Sequence, residues 1–233
     1  SQRNGNILSL SNRLERTYDI PIGKVQLVRV PYYNSALVTD TLTCLPWDGE
    51  KGGVLVLNVR DSINLSGHIN VSGRGFRGAV GLNTNQTPFN CSQDNYYYNY
   101  LAGDTAARKG ESYATLSDQR IFGKGKLAGA GGGGNSHNSG GGGGANGGLG
   151  GQGGYQLQAC TSGTFDNGGR GGVSHAYSNL TNKIFMGSGG GAGHVNNPPR
   201  FTGSGGNGGG IAIIRGATLI NNGYTIQSNG QEA

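Results

Sequence analysis

The sequence predicts an all-β protein in which strand segments bracket a glycine-rich insert folded as a bundle of polyglycine-II helices. Three observations point to that class. Of the 49 glycines in 233 residues, 34 fall between positions 123 and 210. The first half carries short alternating or apolar runs of strand character. The pattern of residues 52–73 then returns at residues 209–230, on the far side of the glycines.

Taken in order, residues 9–16 (SLSNRLER) are the one stretch with a helical period, enough for one or two turns. Residues 24–30 (KVQLVRV) alternate as a half-buried strand does. Residues 35–45 (SALVTDTLTCL) alternate less cleanly, and 53–59 (GVLVLNV) form a compact apolar strand. Residues 62–72 (SINLSGHINVS) alternate on both sides of a Ser-Gly turn.

The glycine region is either a disordered linker or an ordered architecture that needs bare backbone. Interleaved Leu149, Tyr155, Leu157, Phe165, Val173, Tyr177, Ile184, Phe185, Met186 and Phe201 favour order, since they can cover a glycine layer. Collagen requires a strict G-X-Y period rich in proline. The runs here are GGGG and GGGGG, and the whole chain has six prolines. The ordered choice left is a set of short parallel and antiparallel rods with about three residues per turn and no internal hydrogen bonds. Their N–H and C=O groups point outward and pair with neighbouring rods.

The echo joins these parts. Residues 52–73 read GGVLVLNVRDSINLSGHINVSG, and residues 209–230 read GGIAIIRGATLINNGYTIQSNG. Each has a glycine pair, an apolar strand, a polar break, an isoleucine-containing strand, a glycine turn and a short second strand. They are expected to pair or stack and so hold both ends of the insert together; a coincidence between two hairpins is the other reading. The organisation is a β-rich segment with a tyrosine-rich loop (1–122), the glycine bundle (123–210) and a returning β-segment (211–233) that packs with 53–73, all one structural unit.

With 33% hydrophobic and 13% charged residues the core is small and the surface polar. The formal charge of +6 is spread thinly, without a basic run, and a single GGRGG at 168–172 is weak evidence for RNA. Nucleic acid is therefore an unlikely partner. No stretch reaches the roughly 20 apolar residues of a membrane-spanning helix. A start at Ser1 reads as a processed or excised piece of something longer. Cys91 and Cys160 flank the start of the glycine region. A disulfide between them closes a loop of about 70 residues and adds roughly 3–4 kcal/mol in the chain-entropy model. Cys44 sits in a strand-like context as a small hydrophobe.

Nothing marks an enzyme or a cofactor site. No nucleophile elbow, paired carboxylates or phosphate-loop lysine is present, and Glu50, Glu111 and Asp118 lack an obvious partner. His137 and His194 each sit in an Asn-rich break within a glycine run. They either share a metal or ligand site, or hydrogen-bond exposed backbone where rods turn. Tyr96, Tyr97, Tyr98 and Tyr100 (in NYYYNY) either form a contact patch for glycans or proteins, or pack over the glycine layer. With Arg108, Lys109 and Arg120 they make residues 90–120 the candidate binding loop.

The ordered set GGVLVLNV, INVSGRGFRGA, Cys91 with its tyrosine-rich sequel, GGGGNSHNSGGGGGAN, MGSGGGAGHVNN and GGNGGGIAII resembles a glycine-rich region of large Bacteroidetes cell-surface proteins exported by the type IX secretion system, many of them gliding-motility or adhesin-like. The resemblance covers roughly residues 24–230; the C-terminal sorting domain of that family is absent. A looser similarity links the glycine runs to polyglycine-II tips of phage tail-fibre adhesins and to glycine-rich antifreeze proteins. The resemblance implies an extracellular or cell-surface location, with the secretion machinery, other surface proteins and glycans as partners. It also implies O-glycosylation at Asp-Ser/Thr pairs, here Thr41, Ser62 and Thr105. The expected function is a rigid adhesin-like scaffold or display module. A glycan-binding accessory module of a secreted enzyme is the alternative, and an RNA-binding glycine-rich protein the third.

Overall fold

Alternation along residues 54–71 puts Leu57, Val59, Ile63, Leu65 and Ile69 on one side of the backbone. All five are buried with Val38 in one hydrophobic cluster. Burying an aliphatic side chain of this size contributes roughly 1.5–3 kcal/mol. This cluster is the core of the β-rich part. The computed structural model describes residues 2–4, 7–15, 17, 18, 23–81, 106–114, 120–135, 138–156, 167–175, 183–195 and 203–233. Among them there is no α-helix.

The strands of the core are β3 (Tyr32–Tyr33), β4 (Ala36–Val38), β5 (Val54–Val59), β6 (Ser62–Leu65), β7 (Ile69–Asn70), β8 (Ile211–Arg215), β9 (Thr218–Ile220) and β10 (Ile226–Gln227). They form three small sheets ordered β3-β5-β8, β4-β6-β9 and β10-β7, and every pairing is parallel. Consecutive strands therefore fall in different sheets. The chain coils, and each circuit lies on the one before as a rung. The first rung is β3, β4 and an isolated bridge at Leu42 to Ile69; the second is β5, β6 and β7; the third is β8, β9 and β10. A short antiparallel hairpin, β1 (Gln2–Asn4) with β2 (Ile7–Ser9), precedes them.

The two segments that echo one another are the second and third rungs. Val54 lies opposite Ile211, Ser62 opposite Thr218 and Ile69 opposite Ile226. Neither segment is a hairpin: the Ser66-Gly67 turn is a corner between two sheets, tight enough that a Cβ on Gly67 would strike the Asp40 backbone of the rung before. Residues 24–30, expected as a strand, are not one, and Val25, Leu27 and Val30 are exposed. The Gln26 side chain takes over the pairing: its amide donates to Gly52 O at 2.9 Å and accepts from Gly52 N–H at 2.8 Å. The described residues of 9–16 carry no helical turn.

Between the second and third rungs the chain leaves the coil and returns through the glycine-rich segments. These run as extended rods, and their hydrogen bonds follow a three-residue period. All eight N–H groups from Gly187 to His194 donate outside that rod. Gly187, Gly190 and Gly193 donate to Gly209, Gly206 and Gly203. Ser188, Gly191 and His194 donate to Ala145, Gly142 and Ser139, while Gly189 and Ala192 donate to Glu111 and Arg108. Three neighbours are thus served in rotation. The rod 131–135 repeats the scheme toward Gly189 and Ala192, Arg170 and Asn167, and Gly123. Neighbours run both parallel and antiparallel. The spacing leaves no room for side chains: a Cβ on Gly191 would enter the Gly132 carbonyl and one on Gly78 the Gly205 carbonyl.

Hydrogen bonds alone do not hold such rods. Ordering a residue's backbone costs about 1–2 kcal/mol, and a backbone hydrogen bond returns a net 0.5–1.5 kcal/mol. Apolar clusters at the edges of the bundle and within it add to them. Trp47, Phe76 and Met186 pack with Ile211 where the rods meet the rungs. The Trp47 and Phe76 rings meet edge to face at 5.9 Å. Ala79, Ala107 and Ala192 form a cluster of methyl groups within the bundle. Tyr113, His175 and Phe185 make a plate of three rings with centroids 4.7–5.1 Å apart.

Candidate functional site

The polar chemistry of the described residues concentrates where rungs and rods meet. Glu111, on the rod 106–112, accepts three hydrogen bonds on Oε2. They come from Trp47 Nε1 at 3.1 Å, Arg77 backbone N–H at 3.1 Å and Arg77 Nε at 3.0 Å. Arg77 also donates from Nη1 to the carbonyl of Asp48. In that turn the Asp48 carboxylate accepts the N–H groups of Lys51 and Glu50, which hold its pKa below the usual value. The sequence shows no partner for Glu111 because its partners lie 34 and 64 residues away.

Two residues along the same rod, Lys109 is buried, and its Nζ donates to the Gly125 carbonyl. Burial pulls its pKa down to about 8. Arg108 is half-buried with its guanidinium 5.2 Å from the centre of the Phe122 ring. Residues 106–112 are therefore a rod of the bundle rather than a free loop: Ala107 and Gly110 donate to Gly134 and Gly131. Tyr96, Tyr97, Tyr98, Tyr100, Thr105 and the Cys91–Cys160 pair lie outside the described residues, as does His137.

His194 is buried at the end of its rod. Its Nδ1 accepts the Asn138 N–H at 3.2 Å, and its own N–H donates to Ser139 O. It fastens a turn. Among the described residues no group of three or more His, Cys, Asp or Glu side chains is placed to hold a metal ion. His175 is also buried, and desolvation lowers its pKa, disfavouring the charged ring within the aromatic plate. Cys44 is a half-buried free thiol with its pKa raised by burial.

The two Asp-Ser/Thr positions that are described differ in access. Thr41 is exposed, with its N–H on the Asp40 carboxylate at 2.6 Å. Ser62 opens the central strand β6 and is half-buried. Thr41 stands on the rim of a cleft of about 520 Å³ at the first-rung end of the coil. Its floor is Ala36, Val38, Leu42, Leu55 and Leu57; Tyr33, Thr39 and Asp40 share the rim. At the opposite end the third rung is open over β9, while β8 and β10 border a second cleft walled by Asn146, Lys183, Ile184 and Phe185. Leu219 and Ile226 occupy the columns of the fully buried Ile63 and Ile69, yet they are 47% and 43% exposed. No helix of the described residues is long and apolar enough to cross a membrane. No family model matches the chain, and neither a curated protein nor a solved structure matches it.

Proposed function

We propose that this chain is a rigid scaffold of a bacterial cell-surface protein, an adhesin-like module whose stiffness comes from polyglycine-II rods braced by a three-rung coil. The observation that carries the reading is the rotation of the N–H donors from Gly187 to His194 among three neighbouring rods. That pattern belongs to a helix with three residues per turn and no internal bonds. The rods pack backbone against backbone, and two of their buried polar side chains, Lys109 and His194, bind backbone groups of the bundle itself, which favours a scaffold over a preorganised catalytic pocket. Contacts with other molecules fall to the ends, turns and loops. The order of glycine motifs supports a Bacteroidetes surface protein using the type IX secretion route, with exposed Thr41 as the better placed of the two described O-glycosylation candidates. Hydrogen exchange tests the scaffold. Amides of Gly131–Gly134 and of Gly187–His194 are expected to be protected; random-coil exchange there would end this reading.

A further inference from the structure

We propose that copies of this chain stack head to tail, the third rung of one copy pairing in parallel with the first rung of the next. Each rung uses one strand edge toward the rung before it and the other toward the rung after it. In the three sheets β8, β9 and β10 are terminal at one end, and β3 and β4 are terminal at the other. The edge left open on the third rung is the kind that the second rung presents to the third. The edge left open on the first rung is the kind that the third presents to the second. The two open edges are thus complementary by construction, whereas two third rungs meeting face to face could pair only in antiparallel fashion.

The side chains agree with this register. On the outward face Leu37, Asn64 and Ile220 lie opposite one another in successive rungs. The two ends of that column are apolar and exposed, Leu37 at 61% and Ile220 at 44%, while the middle is polar. Stacking sets Ile220 beside Leu37 of the next copy, where each covers the other. In the sheet β3-β5-β8 a column runs Tyr32, Asn58 and Arg215, so stacking also brings Arg215 against the ring of Tyr32. Inward, the exposed Leu219 and Ile226 continue the columns of Ala36–Ile63 and Leu42–Ile69. The first-rung cleft of the next copy, floored by Ala36 and Leu42, receives them. Such a contact is heterologous and propagates, so it lengthens the scaffold into a rod of several modules.

Charge exchange at Leu37 and Ile220 tests the arrangement, since both side chains are exposed. Sedimentation of the wild-type chain between about 1 μM and about 1 mM is expected to show oligomers that grow with concentration. A chain carrying both Ile220→Lys and Leu37→Lys sets like charges across every contact and is expected to associate at least tenfold more weakly. A chain with Ile220→Lys and Leu37→Glu sets opposite charges there and regains assembly. A wild type that stays monomeric throughout overturns the proposal, and so does a double-lysine variant that assembles normally. Failure of the Lys/Glu chain to recover overturns it in favour of a two-fold contact or a different occupant such as a glycan. Hydrogen exchange of wild-type protein gives an answer without variants. Amides of β9 must gain protection with concentration, while those of Gly187–His194 stay unchanged; equal β9 exchange at all concentrations sinks the stacking and leaves the scaffold reading intact.

Discussion

The indole N–H of Trp47 donates to Glu111 Oε2 at 3.1 Å, joining the turn that follows the first rung to a rod of the glycine bundle 64 residues later. Because Arg77 reaches the same oxygen from its backbone and its guanidinium, one carboxylate ties three segments. Replacing Glu111 with Ala leaves the Trp47 and Arg77 donors without this acceptor and is expected to cost about 1–3 kcal/mol. Removing the exposed Lys24–Glu50 pair is expected to cost under about 1 kcal/mol. Urea denaturation of the two variants compares them, and equal losses would show that the junction is not a clamp.

Glycine-to-alanine changes divide by what a methyl group meets. At Gly191 the new Cβ enters the carbonyl of Gly132, and at Gly148 it meets nothing. Gly191→Ala is expected to lose about 1–3 kcal/mol or more. Gly148→Ala is expected to be neutral or to gain up to about 1 kcal/mol by restricting the unfolded chain. Thermal melts that rank the pair in the reverse order would contradict the close packing of the rods.

Lys109 gives the fold a pH signature. Its native pKa is about 8, below the ordinary lysine value of 10.5. Between those values the unfolded chain holds the proton and the folded chain does not, so stability rises with pH across that window and is flat below it for this group. At 1.36 kcal/mol per pH unit the full rise is on the order of 3 kcal/mol. Lys109→Met is expected to lack this component. If wild type and variant gain the same stability between the two ends of the window, Lys109 is not desolvated as described.

Position along a column of the coil sets the price of a core truncation. Ile69 is fully buried between Leu42 and Ile226, and Ile69→Ala is expected to cost about 2–5 kcal/mol. Ile226 has a neighbour on one side and is half-exposed, so Ile226→Ala in dilute protein is expected to cost about 1 kcal/mol. Denaturation midpoints for both at low concentration decide it.

Much of this was legible in the residues, for identifiable reasons. The match between 52–73 and 209–230 corresponds to adjacent rungs because parallel in-register stacking puts like residues opposite like. Alternation located β5 and β6, whose inward positions are apolar without exception. Alternation could not tell a hairpin from a corner, since Ser66-Gly67 suits both and the partner strands are remote. It also points to a strand at 24–30, where the Gln26 amide instead replaces backbone pairing. Lys109 and Glu111 were misread for one reason: a charged residue's burial depends on distant neighbours such as Gly125 and Trp47.

The excursion of the glycine segments between the second and third rungs also governs how the molecule can fold. Contacts such as His68 with Thr225 span 157 residues, and closing so long a loop is slow because its entropy is lost before any pairing repays it. At the start of the third rung the Gly210 N–H donates to the carbonyl of Val71, so the place of this rung depends on where the rods return the chain. Until that return the upper edge of β5, β6 and β7 stays unpaired, and Ile63 and Ile69 lack their cover. The core of β5, β6 and β7 is thus sealed by strands that follow it in the chain only after the long glycine-rich excursion that carries them back.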